Sequence, residues 1–147
     1  HGISSDRLIL EGREGRDQYL ACYNRVDLAL SPFPYGGGTT SVEGIWMGVP
    51  PLVKAGNHFL SRLGETIAHN LSMSDWVASD NEDYILKAVS FASRLAGLSQ
   101  LRQKLRDRLL ASPLTDSRRF AAHFLDAVQE MRGSTLSEER ANLPTEA

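Results

Sequence analysis

The residues best placed to do chemistry in this chain lie in one stretch, Ser31-Pro32-Phe33-Pro34-Tyr35-Gly36-Gly37-Gly38-Thr39-Thr40-Ser41-Val42-Glu43-Gly44-Ile45-Trp46-Met47-Gly48-Val49-Pro50. An apolar run at 26–30 precedes the glycines and reads as a buried strand, and hydroxylated residues open a helix after them. Strand, glycine loop and helix start make an anion cradle. Contiguous glycines permit positive φ and close approach of the backbone, and the unpaired N–H groups of the first helical turn point at whatever sits there. The expected occupant is a phosphate or diphosphate.

Thr39 and Thr40 carry two readings. Thr40-Ser41-Val42-Glu43 has the T-x-x-E spacing of a capping box, which stabilises a helix by roughly 1 kcal/mol and needs no ligand. Alternatively both hydroxyls and the adjacent N–H groups donate to diphosphate oxygens. Glu43, repelled by phosphate, then points past it to accept from ribose hydroxyls one turn further on. The glycine run is neither a P-loop, since no Lys follows it, nor G-x-G-x-x-G, since its glycines are contiguous. Asp80-Asn81-Glu82-Asp83 is not a D-x-D metal motif and reads as a helix start, with acids complementing the dipole. His1, His58, His69 and His123 show no metal spacing, so no metal is expected. The single cysteine, Cys22, reads as a small buried hydrophobe rather than a reactive thiol.

The elements that must position these groups alternate. Residues 7–12 read as a short strand ended by glycine, 13–25 as a helix carrying Tyr19, Leu20, Cys22 and Tyr23, and 26–30 as the next strand. A helix over 40–47, a strand at 51–53, a helix over 57–70 and a short strand at 76–78 follow. Such alternation predicts βαβ crossovers and a parallel sheet of the α/β class, with its site at the carboxyl ends of the strands. Beyond Asp80, a cap candidate, three apolar stripes predict helices that face a core: Ile85, Ala88, Val89 and Ala92; Leu98, Leu101, Leu105 and Leu109; Phe120, Phe124, Val128 and Met131. Residues 1–132 read as one domain and 133–147 as a frayed tail.

Composition bounds the partners. The chain has 147 residues, 41% hydrophobic and 23% charged, with a net charge of -2 and a pI near 6.1. That balance gives no reason to expect nucleic acid or an anionic membrane. No apolar run approaches a spanning helix, and a cytoplasmic location is expected. A chain that opens on His1 and offers three or four strands, where a doubly wound sheet has about five or six, is expected to be part of a larger one.

Pro32 to Thr40, Glu43, Trp46-Met47-Gly48-Val49-Pro50, Leu60-Ser61-Arg62 and Ala111-Ser112-Pro113-Leu114, in that order, resemble the carboxyl-terminal end of the O-GlcNAc transferase family and its SPINDLY-like bacterial relatives, which often carry tetratricopeptide repeats. The resemblance implies the nucleotide-sugar half of a two-Rossmann-domain (GT-B) glycosyltransferase: a partial doubly wound parallel sheet followed by helices. It implies an inverting protein O-glycosyltransferase using UDP-GlcNAc as substrate, with no cofactor and no metal, and an acceptor protein Ser or Thr. Under it Gly37, Gly38, Thr39 and Thr40 bind the diphosphate, Glu43 the ribose, and Arg16 and Tyr19 fall near the base-contacting positions. Gly38 stands where animal members have a histidine, so backbone N–H groups and the threonines would have to suffice. Other essential groups would lie in the part of the enzyme upstream of His1, and this chain alone would be inactive. Relatives using GDP-fucose or glycosylating asparagine, and a non-catalytic α/β module that binds a partner, are the alternatives.

Overall fold

A computed structural model of the protein describes residues 2–141. Its centre is a three-stranded parallel sheet in the order β1-β2-β3, formed by β1 (Ala29–Leu30), β2 (Pro51–Lys54) and β3 (Val77–Ala78). Ala29 registers with Pro51, and Lys54 with Ala78. Helix α2 (Thr39–Trp46) connects β1 to β2, and α3 (Leu63–Asn70) connects β2 to β3. Helix α1 (Arg16–Cys22) precedes the sheet, and α4 (Asn81–Ala92), α5 (Leu95–Leu110) and α6 (Ser117–Ala141) follow it.

The chemistry of the termini explains these bounds. Helix α2 ends in a Schellman motif: the Gly48 N–H donates to Ile45 C=O at 2.9 Å and the Val49 N–H to Gly44 C=O at 2.8 Å. Gly48 takes φ +85, which only glycine adopts without strain, and Pro50 and Pro51 then forbid the helix from resuming. Helix α4 starts where Asp80 accepts from the Asp83 N–H at 2.9 Å, the cap the sequence predicts.

The core gathers Ile45 from α2, Leu52 and Val53 from β2, Ile67 from α3, Trp76, and Leu98, Leu105 and Leu109 from α5. Trp76 stacks on Phe91 of α4 at 4.2 Å. The leucine stripe of α5 therefore faces the core as predicted.

Several expectations are corrected. Residues 7–12 are not a strand: Ser5–Arg7 is a 3-10 turn, Leu8, Ile9 and Leu10 are exposed, and no described strand pairs with them. A strand without a neighbour has no ladder to satisfy its N–H and C=O groups. The helix of 13–25 shrinks to α1 plus a 3-10 turn, Tyr23–Arg25. The strand of 26–30 shrinks to two residues, the helix of 57–70 starts as a 3-10 turn at Leu60–Arg62, and Trp76 belongs to a 3-10 turn before β3. On α4 the core side is Tyr84, Ala88 and Phe91, while Ile85 and Val89 are 62% and 66% exposed. Two overlapping stripes share Ala88, and packing selected the aromatic one. The stripe Phe120, Phe124, Val128 and Met131 is exposed on α6. The helical backbone continues from 133 to Ala141, where a frayed tail was expected, and residues 142–147 lie outside the described ones.

Candidate functional site

The glycine loop leaves the carboxyl end of β1 and enters α2. Ser31, the residue after β1, is buried; its N–H donates to Leu52 C=O, and its own C=O accepts the Tyr84 hydroxyl at 3.0 Å. These bonds moor the loop to β2 and α4. Burial pushes the Tyr84 hydroxyl pKa up, so it stays a donor.

The glycines act by close approach, not by positive φ, which corrects the expectation. Gly36, Gly37 and Gly38 all have ordinary φ signs, and Gly38 is the N-cap at φ -98. A Cβ on Gly37 would overlap Thr40 Oγ1 and come within 2.7 Å of Ser41 Oγ. Gly38 has open space around it. Ser41 Oγ donates to Gly37 C=O at 2.8 Å, which ties the loop to the first turn.

Thr39 and Thr40 are the first two residues of α2, both exposed. The N–H groups of Ser41 and Val42 are taken by Gly38 C=O. Those of Thr39 and Thr40 have no partner among the described residues and carry the positive end of the helix dipole. The capping box does not form, because the cap position falls on Gly38, which has no side chain to offer.

Glu43 instead turns toward α1. Its carboxylate, 17% exposed, lies 3.2 Å from Arg16 Nη1 and accepts the Tyr19 hydroxyl at 3.1 Å. Thr39, Thr40 and Glu43, at i, i+1 and i+4, thus occupy adjoining positions on one side of α2. Burial raises the Tyr19 pKa, and its bonds to Tyr23 and Glu43 add to the rise, so it remains a neutral donor. The structure therefore brings together Gly37, Gly38, Thr39, Thr40, Glu43, Arg16 and Tyr19, from two elements about twenty residues apart in sequence.

Tyr23 and Arg102 were not singled out by sequence. The Tyr23 hydroxyl lies 2.9 Å from that of Tyr19 and donates to Thr40 C=O at 3.3 Å, and the two rings meet edge to face at 5.6 Å. Arg102, on α5, donates to Tyr23 C=O and Val26 C=O, both at 2.7 Å. The Tyr19 and Tyr23 spacing of one helical turn could have revealed the first contact; nothing in sequence links Arg102 to residues almost eighty positions away. Under the loop a cavity of about 150 Å³ is lined by Tyr23, Ser31, Gly37, Thr40 and Ser41.

Cys22 is half-buried, not the buried residue expected, and donates to Gln18 C=O at 3.2 Å; a hydrogen bond with Glu11 raises its pKa, which disfavours the thiolate. Among the described residues no group of three or more His, Cys, Asp or Glu could hold a metal ion. No described helix is long and apolar enough to cross a membrane.

The family model described as "Glycosyl transferase family 41" matches residues 1–124. The chain is 32% identical over 113 residues to the probable UDP-N-acetylglucosamine–peptide N-acetylglucosaminyltransferase SPINDLY of Arabidopsis thaliana, covering 77% of this chain and 12% of that protein. A UDP-glucose:protein N-beta-glucosyltransferase of Actinobacillus pleuropneumoniae serotype 5b is 28% identical over 90 residues, 60% of this chain and 14% of that protein. Among solved structures, the K341M mutant of Thermobaculum terrenum O-GlcNAc transferase superposes with a TM-score of 0.81 at 34% identity, covering 88% of this chain and 25% of that one. The chain thus spans about an eighth of the curated relatives and a quarter of the solved one.

Proposed function

The chain belongs to glycosyl transferase family 41, and on that premise we propose that it forms the donor-binding part of an inverting protein O-glycosyltransferase that uses UDP-GlcNAc. The observation that carries this is the convergence of Arg16, Tyr19 and Glu43 beside the unpaired N–H groups of Thr39 and Thr40. The diphosphate sits at the α2 N-terminus, held by the Gly37 to Thr40 backbone and the two threonine hydroxyls. Glu43 accepts from the ribose, and Arg16 and Tyr19 flank the base.

In the reaction a Ser or Thr hydroxyl oxygen of the acceptor protein attacks the anomeric carbon in line. The bond from that carbon to the diphosphate breaks, its electron pair leaves on the phosphate oxygen, and the configuration inverts. The α2 dipole and N–H groups meet the growing negative charge, which is where preorganised donors accelerate such a step. The remaining groups, including the base that takes the hydroxyl proton, belong to further polypeptide, as the small share of the relatives covered here suggests.

Calorimetric titration of UDP into the enzyme containing this chain tests the reading. Thr39→Ala combined with Thr40→Ala should weaken binding at least about tenfold, since hydrogen bonds to a charged group contribute roughly 1.5–3 kcal/mol each. Unchanged affinity would defeat it in favour of a non-catalytic partner-binding module. GDP binding more tightly than UDP would place the chain with relatives that use GDP-fucose.

A further inference from the structure

A second recess, which shares no lining residue with the cavity under the glycine loop, opens beside the Phe33–Pro34 segment at the carboxyl ends of β2 and β3. It is about 590 Å³ in volume and is walled by Phe33, Lys54, Asn57, His58, Asp80 and Asn81. The last residue of β2, Lys54, supplies its only described cation from Lys or Arg. Its ammonium bonds Asn81 Oδ1 at 2.9 Å and lies 4.1 Å from the centre of the Phe33 ring. Both partners are neutral, and Lys54 makes no ion pair among the described residues. The carboxylate in the wall, Asp80, is engaged by the Asp83 N–H and the Ser79 hydroxyl rather than by the lysine. An ammonium has three N–H bonds, so two remain for a ligand.

The recess continues into an apolar one of about 480 Å³ through the shared residues Pro34, His58 and Ser61. Tyr35, Phe59 and Leu60 line that end, and all three are exposed. The groove therefore runs from a cation to an apolar patch across the length of a few extended residues. A small anion would fill only its charged end.

We propose that this groove docks the acceptor polypeptide through an acidic side chain on Lys54 and a neighbouring apolar side chain against Phe59 and Leu60. This rests on the donor reading above, which assigns the diphosphate to the α2 N-terminus and leaves this separately lined recess, bounded by the Phe33–Pro34 segment, to the other substrate. A hydroxyl presented from the groove approaches the donor across that segment. The carboxylate replaces water on the two open N–H bonds, and the Phe33 ring holds the ammonium in place.

The test measures fluorescence anisotropy of two labelled, Ser-centred degenerate peptide pools with the UDP-loaded enzyme containing this chain. One pool carries Glu and Leu at the flanking positions, the other Lys and Leu. The wild type should bind the acidic pool about tenfold more tightly, the range of one charge-assisted contact. Lys54→Glu should invert the preference and leave the UDP dissociation constant within about twofold, whereas Lys54→Met should abolish the preference without inversion. Equal binding of both pools by the wild type overturns the proposal. So does a Lys54→Glu protein that loses UDP while keeping its peptide preference, which would make the lysine a donor ligand. A failure of UDP to bind the wild type is a separate outcome: it removes the donor reading and with it the basis of this one.

Discussion

At the scale of single residues, the glycine loop shows that position rather than composition carries the design. Gly37 is required because Thr40 and Ser41 fold back over it, whereas Gly38 faces open space. Gly37→Ala should force both side chains off the first turn of α2. We expect a loss of about 1–3 kcal/mol in chemical denaturation, as for overpacking, and weaker UDP binding in the same protein. Gly38→Ala should cost less, about 0.5–1 kcal/mol, because its Cβ would meet no neighbour and the loss is that of a poorer cap residue. Equal losses in the two variants would refute this account of the turn. The residue scale also explains why Glu43 was open to two readings. A T-x-x-E spacing is compatible with a capping box, but the box needs the threonine at the cap, and the helix begins one residue after Gly38.

At the scale of elements, the caps decide where helices begin and end, and they make one pH-dependent contribution. The Asp83 N–H, and the Ser79 hydroxyl with it, hold the Asp80 carboxyl below its ordinary value of 3.8; the Ser79 N–H and Lys87 hold Asp83 below the same value. Carboxyls with depressed folded pKa values stabilise fully above the unfolded pKa, and that contribution is lost as pH falls through the lower folded pKa. The acid limb of the stability curve below about pH 4 should therefore be shallower in Asp80→Asn, since the amide oxygen still caps but no longer titrates. Adding Asp83→Asn should flatten it further. A denaturation series from pH 2 to pH 7 with parallel acid limbs for wild type and Asp80→Asn would show that Asp80 titrates alike in the folded and unfolded protein, against a cap that depresses its pKa.

At the scale of the whole molecule, the sheet and its helices hold the site as one unit. Helix α5 packs its leucines against α2 and α4 and sends Arg102 to the turn that carries Tyr23, so the core and the donor face share a support. Leu105→Ala removes a side chain that is fully buried and should cost about 2–5 kcal/mol in denaturant unfolding. Phe124→Ala, on the exposed stripe of α6, should change this chain by no more than about 0.5 kcal/mol. A large loss for Phe124→Ala together with a small one for Leu105→Ala would reverse the assignment of the core.

Sequence alone determined the α/β class, the strand, glycine loop and helix order, the α4 cap at Asp80 and the leucine face of α5. Each of these is written in local chemistry: turn residues, a cap, or a repeat of 3.6. Tertiary structure decided the rest. The run at 7–12 looks apolar enough for a strand, but only a neighbour can pair its backbone, and none is present among the described residues. On α4 two apolar stripes competed, and the stacking of Phe91 on Trp76 selected one. The meeting of Arg16, Tyr19 and Tyr23 with Glu43 and Thr40 joins segments far apart along the chain, and no local rule records which distant side chains a fold will bring within hydrogen-bond reach.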